Sequence, residues 1–557
     1  MQLAESAIKV EEYVPEYANF EKLCKSKQEL SKLNFYGEVD SKIYEVQQHI
    51  DERKQNQGKT DSGIIFDLFY QILRAPNTLT LMSLNLLASE LKEQRNRFVS
   101  TGEMAKQLPI QKNLSLELLW RNAIVCGTYQ VPEVWRLIVQ RYYESMVAGF
   151  PFETIDDDNF YFHHQFLSNV LSIFGNKKIL VVSVIGPQNS GKSTLLNYMF
   201  GTFFDVRDGR CTRGIYGSFV KSNRKDFDYI LLIDTEGLLG VEREDKEFDR
   251  RLVLFCLAVS HLIVVNMIGE VNESLKTMLT LCADSLKQMN VNRVPEPIVH
   301  FVLNQKADLN IQNHQAAIEK ITSDLKSFDL SGMIHIRQET FHTLPNAFKK
   351  ERGLLNDTSS PCLSKAEPDF IELVQLLCGD IINSALKCLP RTSDQFTGPS
   401  QWLKSSITIF DTLRKFADLT YYRDINERRQ DNKVREYIRA KLIEEFASTY
   451  REQLTAVSAN KNEREIEELI LPEMEKKQKD LNEDLENRLK LLKTSDTIRI
   501  RSRQFLRVQI IEMFNALRTS CKMVSERAQV QLLVQNGEGA LKQLIEEIGA
   551  KGIVMSE

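Results

Sequence analysis

One run of nine residues, Gly186-Pro187-Gln188-Asn189-Ser190-Gly191-Lys192-Ser193-Thr194, constrains this chain more than any other feature. It follows a β-branched apolar stretch, Ile179 to Ile185, and opens a stretch from Lys192 to Met199 with helical spacing. Strand, GxxxxGK[ST] loop and helix in that order give a turn whose backbone N–H groups, together with the helix N-terminus, surround phosphate oxygens. Lys192 is placed to bridge the outer phosphates, and the Ser193 hydroxyl to ligate magnesium. The whole run from Gly186 to Thr194 is therefore expected to cradle a polyphosphate.

Other segments extend that reading. A second apolar strand, Asp228 to Ile233, runs into Asp234-Thr235-Glu236-Gly237, where an acid at a strand tip can hold magnesium through water and the Gly237 N–H can face a terminal phosphate. DxxG alone is a weak signal, but Asp234 lies 42 residues past Lys192, in what reads as the same sheet. Between them, Arg210-Cys211-Thr212-Arg213-Gly214 offers a Thr212 hydroxyl for the magnesium shell and two cations, Arg210 and Arg213, to offset transferring charge. Two more buried strands are read at His261 to Ile268 and Ile298 to Leu303, separated by enough chain for crossover helices, as a parallel α/β sheet requires.

The last strand leads into Asn304-Gln305-Lys306-Ala307-Asp308. Lys306 and Asp308 have the spacing to stack on a purine and to accept from guanine N–H groups, which favours guanine over adenine. In an NKxD-type element the first position is Gln305, with Asn304 one place early. The plainer reading of Asp308 is a cap for the helix after Leu309.

The 557 residues call for about three to four domains at roughly 150 residues each. Hydrophobic residues at 42% and charged residues at 27% exclude collagen-like and wholly disordered chains. Residues 1–112 read as an N-terminal helical region, with amphipathic stretches Ile64 to Arg74 and Leu79 to Lys92 broken at Ala75-Pro76-Asn77. Residues 113–330 hold the α/β core. Trp120 and Trp135 read as core anchors, and Gly149-Phe150-Pro151-Phe152 as a change of element. Residues 331–557 read as helices: Glu372 to Leu389, Trp402 to Phe416, Gln430 to Thr455, and a long charged helix over Asn462 to Leu492 in which Pro472 interrupts any simple coiled coil.

A formal charge of -4 gives no global field for nucleic acid, so no specific nucleic-acid partner is expected. Nine scattered cysteines, never in a CxxC pair, fit reduced thiols. The start of the chain lacks the basic and apolar regions of a secretory signal. The charge-free stretch Leu252 to Gly269 is interrupted by Ser260, His261 and Asn266, and turns from leucine-rich to β-branched at Ile263, so a buried helix feeding a buried strand is expected rather than a membrane span. His261 and His300 lie in or beside apolar strands and read as core residues. The expected setting is cytoplasmic, with the nucleus as the other compartment compatible with reduced thiols.

From Asn113 to Asp308 the chain resembles the G domain of the very large interferon-inducible GTPases, relatives of guanylate-binding and dynamin-like GTPases. The resemblance rests on Gly149-Phe150-Pro151-Phe152-Glu153 with Asp156 to Asp158, on GPQNSGKSTLLNYMFG, on GRCTRGIYG and on LLIDTEGL. It implies an α/β P-loop GTPase domain flanked by mostly α-helical regions, with GTP as ligand or substrate and Mg2+ as cofactor. It also implies self-association through the G domain and hydrolysis tied to assembly, while the C-terminal helices are left as a surface for a protein partner. Thr212 falls in the first switch and Asp234 to Gly237 in the second.

Two departures bear on catalysis. Guanylate-binding proteins carry an arginine in the phosphate loop where this chain has Asn189, and small GTPases place a water-orienting Gln after the glycine where this chain has Leu238. A nucleotide-gated helical scaffold with negligible hydrolysis is therefore the competing class, and an ATPase the third. At 557 residues the chain is short for a family named for very large proteins, which leaves a fragment or a compact relative with one G domain.

Overall fold

The computed structural model describes residues 14–33, 40–52, 63–100, 115–128, 130–156, 161–204, 214–235, 237–238, 246–268, 273–289, 297–306, 315–330, 332–336, 338–351, 363–392, 398–415, 418–446, 448–459 and 461–550. The chain forms two compact units that divide between Tyr421 and Tyr422. The divisions expected near 112 and 330 are not boundaries between compact units, and the packing described below gives the reason.

The first unit begins with helices α1 (Pro15–Leu33), α2 (Asp40–Glu52), α3 (Gly63–Arg74), α4 (Asn77–Ser100), α5 (Leu116–Gly127) and α6 (Pro132–Val147). The break between α3 and α4 falls at the Ala75-Pro76 step, as its sequence predicts. Helices α1 and α2 bury Tyr17, Phe20 and Ile50 with Leu118 and Val125 of α5. Trp120 of α5 meets Phe69 and Tyr142 edge-on, at 5.1 and 4.9 Å between ring centroids, and is a core anchor as expected.

After α6 the chain turns at Gly149, whose φ of 89° suits glycine, and enters β1 (Phe152–Asp156). Arg121 of α5, 5% exposed, ties the helices to this strand. Its Nε donates to Glu153 Oε2 at 2.8 Å, and it pairs with the fully buried Asp156 at 2.8 Å. Burial alone would lower the guanidinium's pKa, yet Glu153 and Asp156 hold it well above its ordinary value.

The sheet has seven strands in the order β1-β3-β4-β2-β5-β6-β7. These are β2 (Ile179–Ile185), β3 (Gly214–Lys221), β4 (Tyr229–Thr235), β5 (Leu262–Ile268), β6 (Ile298–Asn304) and β7 (Phe341–Thr343), with β1 at one edge. Strands β4, β2, β5, β6 and β7 run parallel, whereas β3 is antiparallel to β4 and β1 to β3. Because β4 and β5 flank β2 on opposite sides, the end of β2 is a topological switch point, where α/β sheets bind ligands.

Alternate residues of β2 face opposite layers. Leu180, Val182 and Val184 pack with Leu195 and Leu196 of α8 (Lys192–Phe200), and with Phe370, Val374, Leu377 and Ile381 of a helix spanning Pro368–Thr392. On the other side Trp402, fully buried in the helix Pro399–Lys415, donates from Nε1 to Val259 O at 3.2 Å. Both of these helices lie past residue 330, as does β7. The first unit therefore cannot close its core without segments that read as C-terminal helices.

The stretch from Leu252 resolves as expected, over its described residues 252–268, into a helix and a strand: α9 (Lys246–Val259) ends before β5 begins. Among the described residues no helix is long and apolar enough to cross a membrane. His261, 1% exposed, accepts on Nδ1 from Val181 N at 3.0 Å, and burial pushes its pKa down to about 4. Between that value and the ordinary 6.5 the unfolded chain binds a proton that the folded chain does not, so stability falls as pH falls. From pH 7 to pH 5 this imidazole is expected to cost about 2 kcal/mol of stability, as read by urea unfolding at the two pH values. In His261→Asn, whose amide oxygen can accept from Val181, that part of the slope should vanish; an unchanged slope would place its origin elsewhere.

In order after α9, the remaining helices of the first unit are α10 (Glu273–Gln288), α11 (Gln315–Ser327), α12 (Pro368–Thr392), α13 (Pro399–Lys415) and α14 (Asp418–Tyr421), with α7 (His164–Ser172) preceding β2. A short hairpin, β8 (Phe348–Glu351) and β9 (Leu363–Ala366), stands apart from the main sheet.

The second unit is helical: α15 (Ile425–Glu445), α16 (Ser448–Val457), α17 (Glu463–Leu491) and α18 (Asp496–Ala550). The helix expected over Gln430 to Thr455 is two, because α15 ends where Phe446 turns its ring edge-on to Phe514 at 5.1 Å. Asn462 and Glu465 cap α17 reciprocally, and the helix runs through Pro472 at the loss of one backbone donor. Ile466, Ile470, Leu481, Leu485 and Leu489 are its buried residues and form one apolar stripe. Helix α18 lies in the part of residues 331–557 that reads as helical without any single helix being delimited there. Its first half buries Ile498, Phe505, Phe514, Leu517 and Cys521, and Ser525 Oγ donates to Lys461 O at 2.6 Å. Beyond Ser525, Val530, Leu533, Val534, Leu541, Leu544 and Ile545 are exposed.

Candidate nucleotide site

Strand β2 delivers the chain to Gly186 at the switch point. Gly186 has φ 155°, and a Cβ there would lie 1.9 Å from the backbone oxygen of Asn266, so the loop can pass β5 only without a side chain. Asn189 (φ 61°) and Gly191 (φ 80°) take left-handed conformations on either side of Ser190, a geometry that curls successive N–H groups toward one concave side. Gly191 is the N-cap of α8, whose N-terminus favours anions at that point.

Lys192 is 7% exposed, and its ammonium donates to Gly186 O at 3.2 Å and Pro187 O at 3.1 Å. The cation is thus folded back over the loop, in reach of whatever the N–H groups hold. Ser193 Oγ donates to Asp234 Oδ2 at 2.7 Å, which joins two of the three expected magnesium-shell residues across α8 and β4. Hard oxygen donors of this kind suit Mg2+, which keeps most of its waters and takes one or two protein ligands beside phosphate. Thr235 Oγ1 donates to Val184 O at 3.0 Å and fixes the tip of β4 against β2.

After β4 the chain returns to the loop. Leu238 N donates to Gly186 O at 2.9 Å and Gln188 N to Leu238 O at 3.1 Å. A Cβ on Gly237 would lie 2.4 Å from Gln188 Cα, so glycine is what allows the second-switch segment to lie on the phosphate loop. Leu238 is fully buried. Its side chain therefore offers nothing to orient water, in keeping with its apolar character.

Two asparagines that the motifs do not include support the loop from below. Asn266, at the end of β5, donates from Nδ2 to Ser190 O at 2.7 Å, and Asn304, at the end of β6, donates to the same oxygen at 3.3 Å. Asn304 Oδ1 accepts from Gln305 N at 2.8 Å, and Gln305 then turns through φ 59° with its side chain exposed. Asn304, rather than Gln305, is thus the residue at this strand end that reaches the phosphate loop. Lys306 follows, its N–H bonded to Leu344 O at 2.9 Å. Arg210, Thr212, Arg213 and Asp308 lie outside the described residues.

The buried histidines stand apart from this chemistry. His300 shares a 3.1 Å hydrogen bond with His342, and burial followed by that neighbour pushes its pKa to about 3. Among the described residues no group of three or more His, Cys, Asp or Glu could hold a metal ion.

A glycine loop at the switch point, a lysine folded over it and a Ser–Asp pair beside it are what a P-loop GTPase domain is built around. Residues 133–332 match the URGCP-like GTPase domain. That span runs from α6 through α11 and takes in the phosphate loop, the tip of β4 and the asparagine props, though it stops short of β7, α12 and α13. Interferon-induced very large GTPase 1 of Homo sapiens is 34% identical over 157 residues, covering 26% of this chain and 6% of that protein; the Mus musculus protein matches equally. Protein SEY1 of Saccharomyces cerevisiae is 36% identical over 137 residues, 22% of this chain and 18% of that one. Protein sey1 of Neurospora crassa is 47% identical over 92 residues, 16% of this chain and 11% of that one. The likeness to these relatives thus spans a minor part of each one's length.

Proposed function

We propose that this chain binds GTP with Mg2+ and hydrolyses it to GDP and phosphate, at a rate that rises as GTPase domains self-associate. The observation that carries the reading is the Ser193–Asp234 hydrogen bond of 2.7 Å beside the Lys192 loop, because it joins two of the three residues proposed for the magnesium shell next to the loop. In the proposed reaction, water attacks the γ-phosphorus, the bond to the β,γ-bridging oxygen breaks, and the water's proton leaves to phosphate or solvent. Lys192 and the loop N–H groups stabilise charge on the phosphate oxygens, and the bound Mg2+ supplies further neutralisation. Thr212 is proposed to complete the magnesium shell, Arg210 or Arg213 to meet transferring charge, and Lys306 and Asp308 to select guanine.

Binding without turnover is the second reading. Asn189 in place of a loop arginine and the buried side chain of Leu238 favour it. Phosphate release from purified protein, followed with GTP and with ATP across protein concentration, separates the two. A GTP rate that climbs with concentration supports assembly-coupled hydrolysis; tight GTP binding with a flat baseline leaves the scaffold, and turnover of ATP without competition by GTP overturns the base assignment. The exposed apolar side chains of α18 beyond Ser525 support a protein partner at the C-terminal helices. The six described cysteines are free thiols, which goes with the proposed cytoplasmic setting.

A further inference from the structure

A second cavity, of about 520 Å³, lies in the first unit away from the phosphate loop. Its walls come from the N-terminal helices and the β1–β3 edge of the sheet, and its contact with α8 is through Asn197, near the end of that helix away from the loop. A space of this size suits a small molecule.

The lining has two chemical characters. Aromatic rings dominate it: Trp120, Tyr142, Phe166 and Phe204 are each under 10% exposed, and Tyr216 and Phe150 join them. Tyr142 stands edge-on to both Trp120 and Phe166, at 4.9 Å in each case, so these rings are fixed before any ligand arrives. The second character is negative charge. Glu117, in the first turn of α5, lines the cavity half-buried and has no hydrogen-bond or ion-pair partner among the described residues.

The guanidinium in the wall is already engaged. Arg121 is paired with Glu153 and Asp156, and Tyr216 donates to Glu153 Oε1 at 3.1 Å. Among the described residues no lysine lines the cavity. His163 does, but it is held between rings, stacked on Phe20 and edge-on to Tyr161. A half-buried carboxylate beside fixed aromatic faces attracts a cation twice over, by charge and by the ring quadrupoles.

We propose that this cavity is a binding site for a small organic cation, with its ammonium group at Glu117 and its apolar or aromatic frame against Trp120, Tyr142 and Phe166. The site is independent of the GTPase reading.

The probe is 4-phenylbutylamine, with 4-phenylbutanol as the neutral counterpart of the same length, titrated into the full chain by calorimetry and by tryptophan fluorescence. The amine should bind saturably and about tenfold more tightly than the alcohol. Glu117→Gln should remove that preference and leave the alcohol unchanged, and Ala88→Phe, which adds a ring to the wall, should weaken both. Lys192→Ala should bind the amine as the wild type does, so that loss of the nucleotide site and loss of this one are distinguishable. Equal binding of amine and alcohol, absence of saturable amine binding, or a Glu117→Gln protein that keeps the preference overturns the assignment. Should Glu117→Gln fail to fold, the amine and alcohol pair on the wild type still decides.

Discussion

Replacing Lys192 with Ala is expected to lower GTP affinity about 100-fold while leaving the fold in place. Lys192 is 7% exposed and its ammonium rests on two loop carbonyls at 3.1 and 3.2 Å, contacts to neutral acceptors that phosphate oxygens would replace with charged ones. A hydrogen bond to a charged group contributes about 1.5–3 kcal/mol, so losing one or two of them corresponds to roughly one to four decades in Kd, and about 100-fold lies toward the lower end. Removing the side chain also relieves the burial of a charge, and this offsets part of the stability lost with the carbonyl contacts. Titration of a fluorescent GTP analogue, with urea unfolding alongside, reads both quantities. A variant that binds GTP as tightly as the wild type would overturn the placement of the nucleotide at this loop.

The phosphate loop and strands β2, β4, β5 and β6 were legible because central parallel strands are buried on both faces and so read as continuous β-branched runs. The flanking strands do not have that property. Strand β1 is Phe-Glu-Thr-Ile-Asp at the sheet edge, β3 carries two glycines, and β7 is only Phe-His-Thr, so none stands out from its surroundings. Helices α12 and α13 were readable as amphipathic helices, but their periodicity says that one face is buried and not which core buries it. That is why they were grouped with the C-terminal helices instead of with the sheet they cover.

Within the site, the glycines and Lys192 announce themselves by spacing along the chain, whereas Asn266 and Asn304 act through spacing across the sheet. Their distance from Ser190 is set by the register that pairs Ile263 with Ser183 and Met267 with Leu303, and nothing local encodes it. Asn266 did leave a trace: it is one of the polar residues that break an otherwise apolar run, and a polar side chain at 0% exposure must find a partner. The cavity at Glu117 left no comparable trace, since Trp120 reads as a core anchor whether or not one of its faces borders a space.

Gly186→Ala is expected to abolish measurable GTP binding and to cost about 3 kcal/mol or more of stability. The added Cβ would meet Asn266 O at 1.9 Å, Asn266 C at 3.0 Å and Ser190 Oγ at 3.3 Å. The first of these atoms is backbone, so no rotamer change relieves it; either β5 moves away from β2 or the loop lifts. Movement of β5 works against the Ile185–Val265 pairing and draws Asn266 off Ser190, whose carbonyl it holds at 2.7 Å. Lifting the loop breaks the Leu238 N–H to Gly186 O bond that holds the second-switch segment in place. Either route displaces the N–H groups that would bind phosphate. Gly201→Ala is the matched control, because Gly201 at the end of α8 has φ 67° with nothing within 4 Å of an added Cβ. It should cost only the left-handed strain, about 1–2 kcal/mol, and keep GTP affinity. Calorimetry and urea midpoints on both variants distinguish close approach from backbone conformation, and a Gly186→Ala protein that binds GTP within about tenfold of wild type would show that β5 can yield where this packing says it cannot.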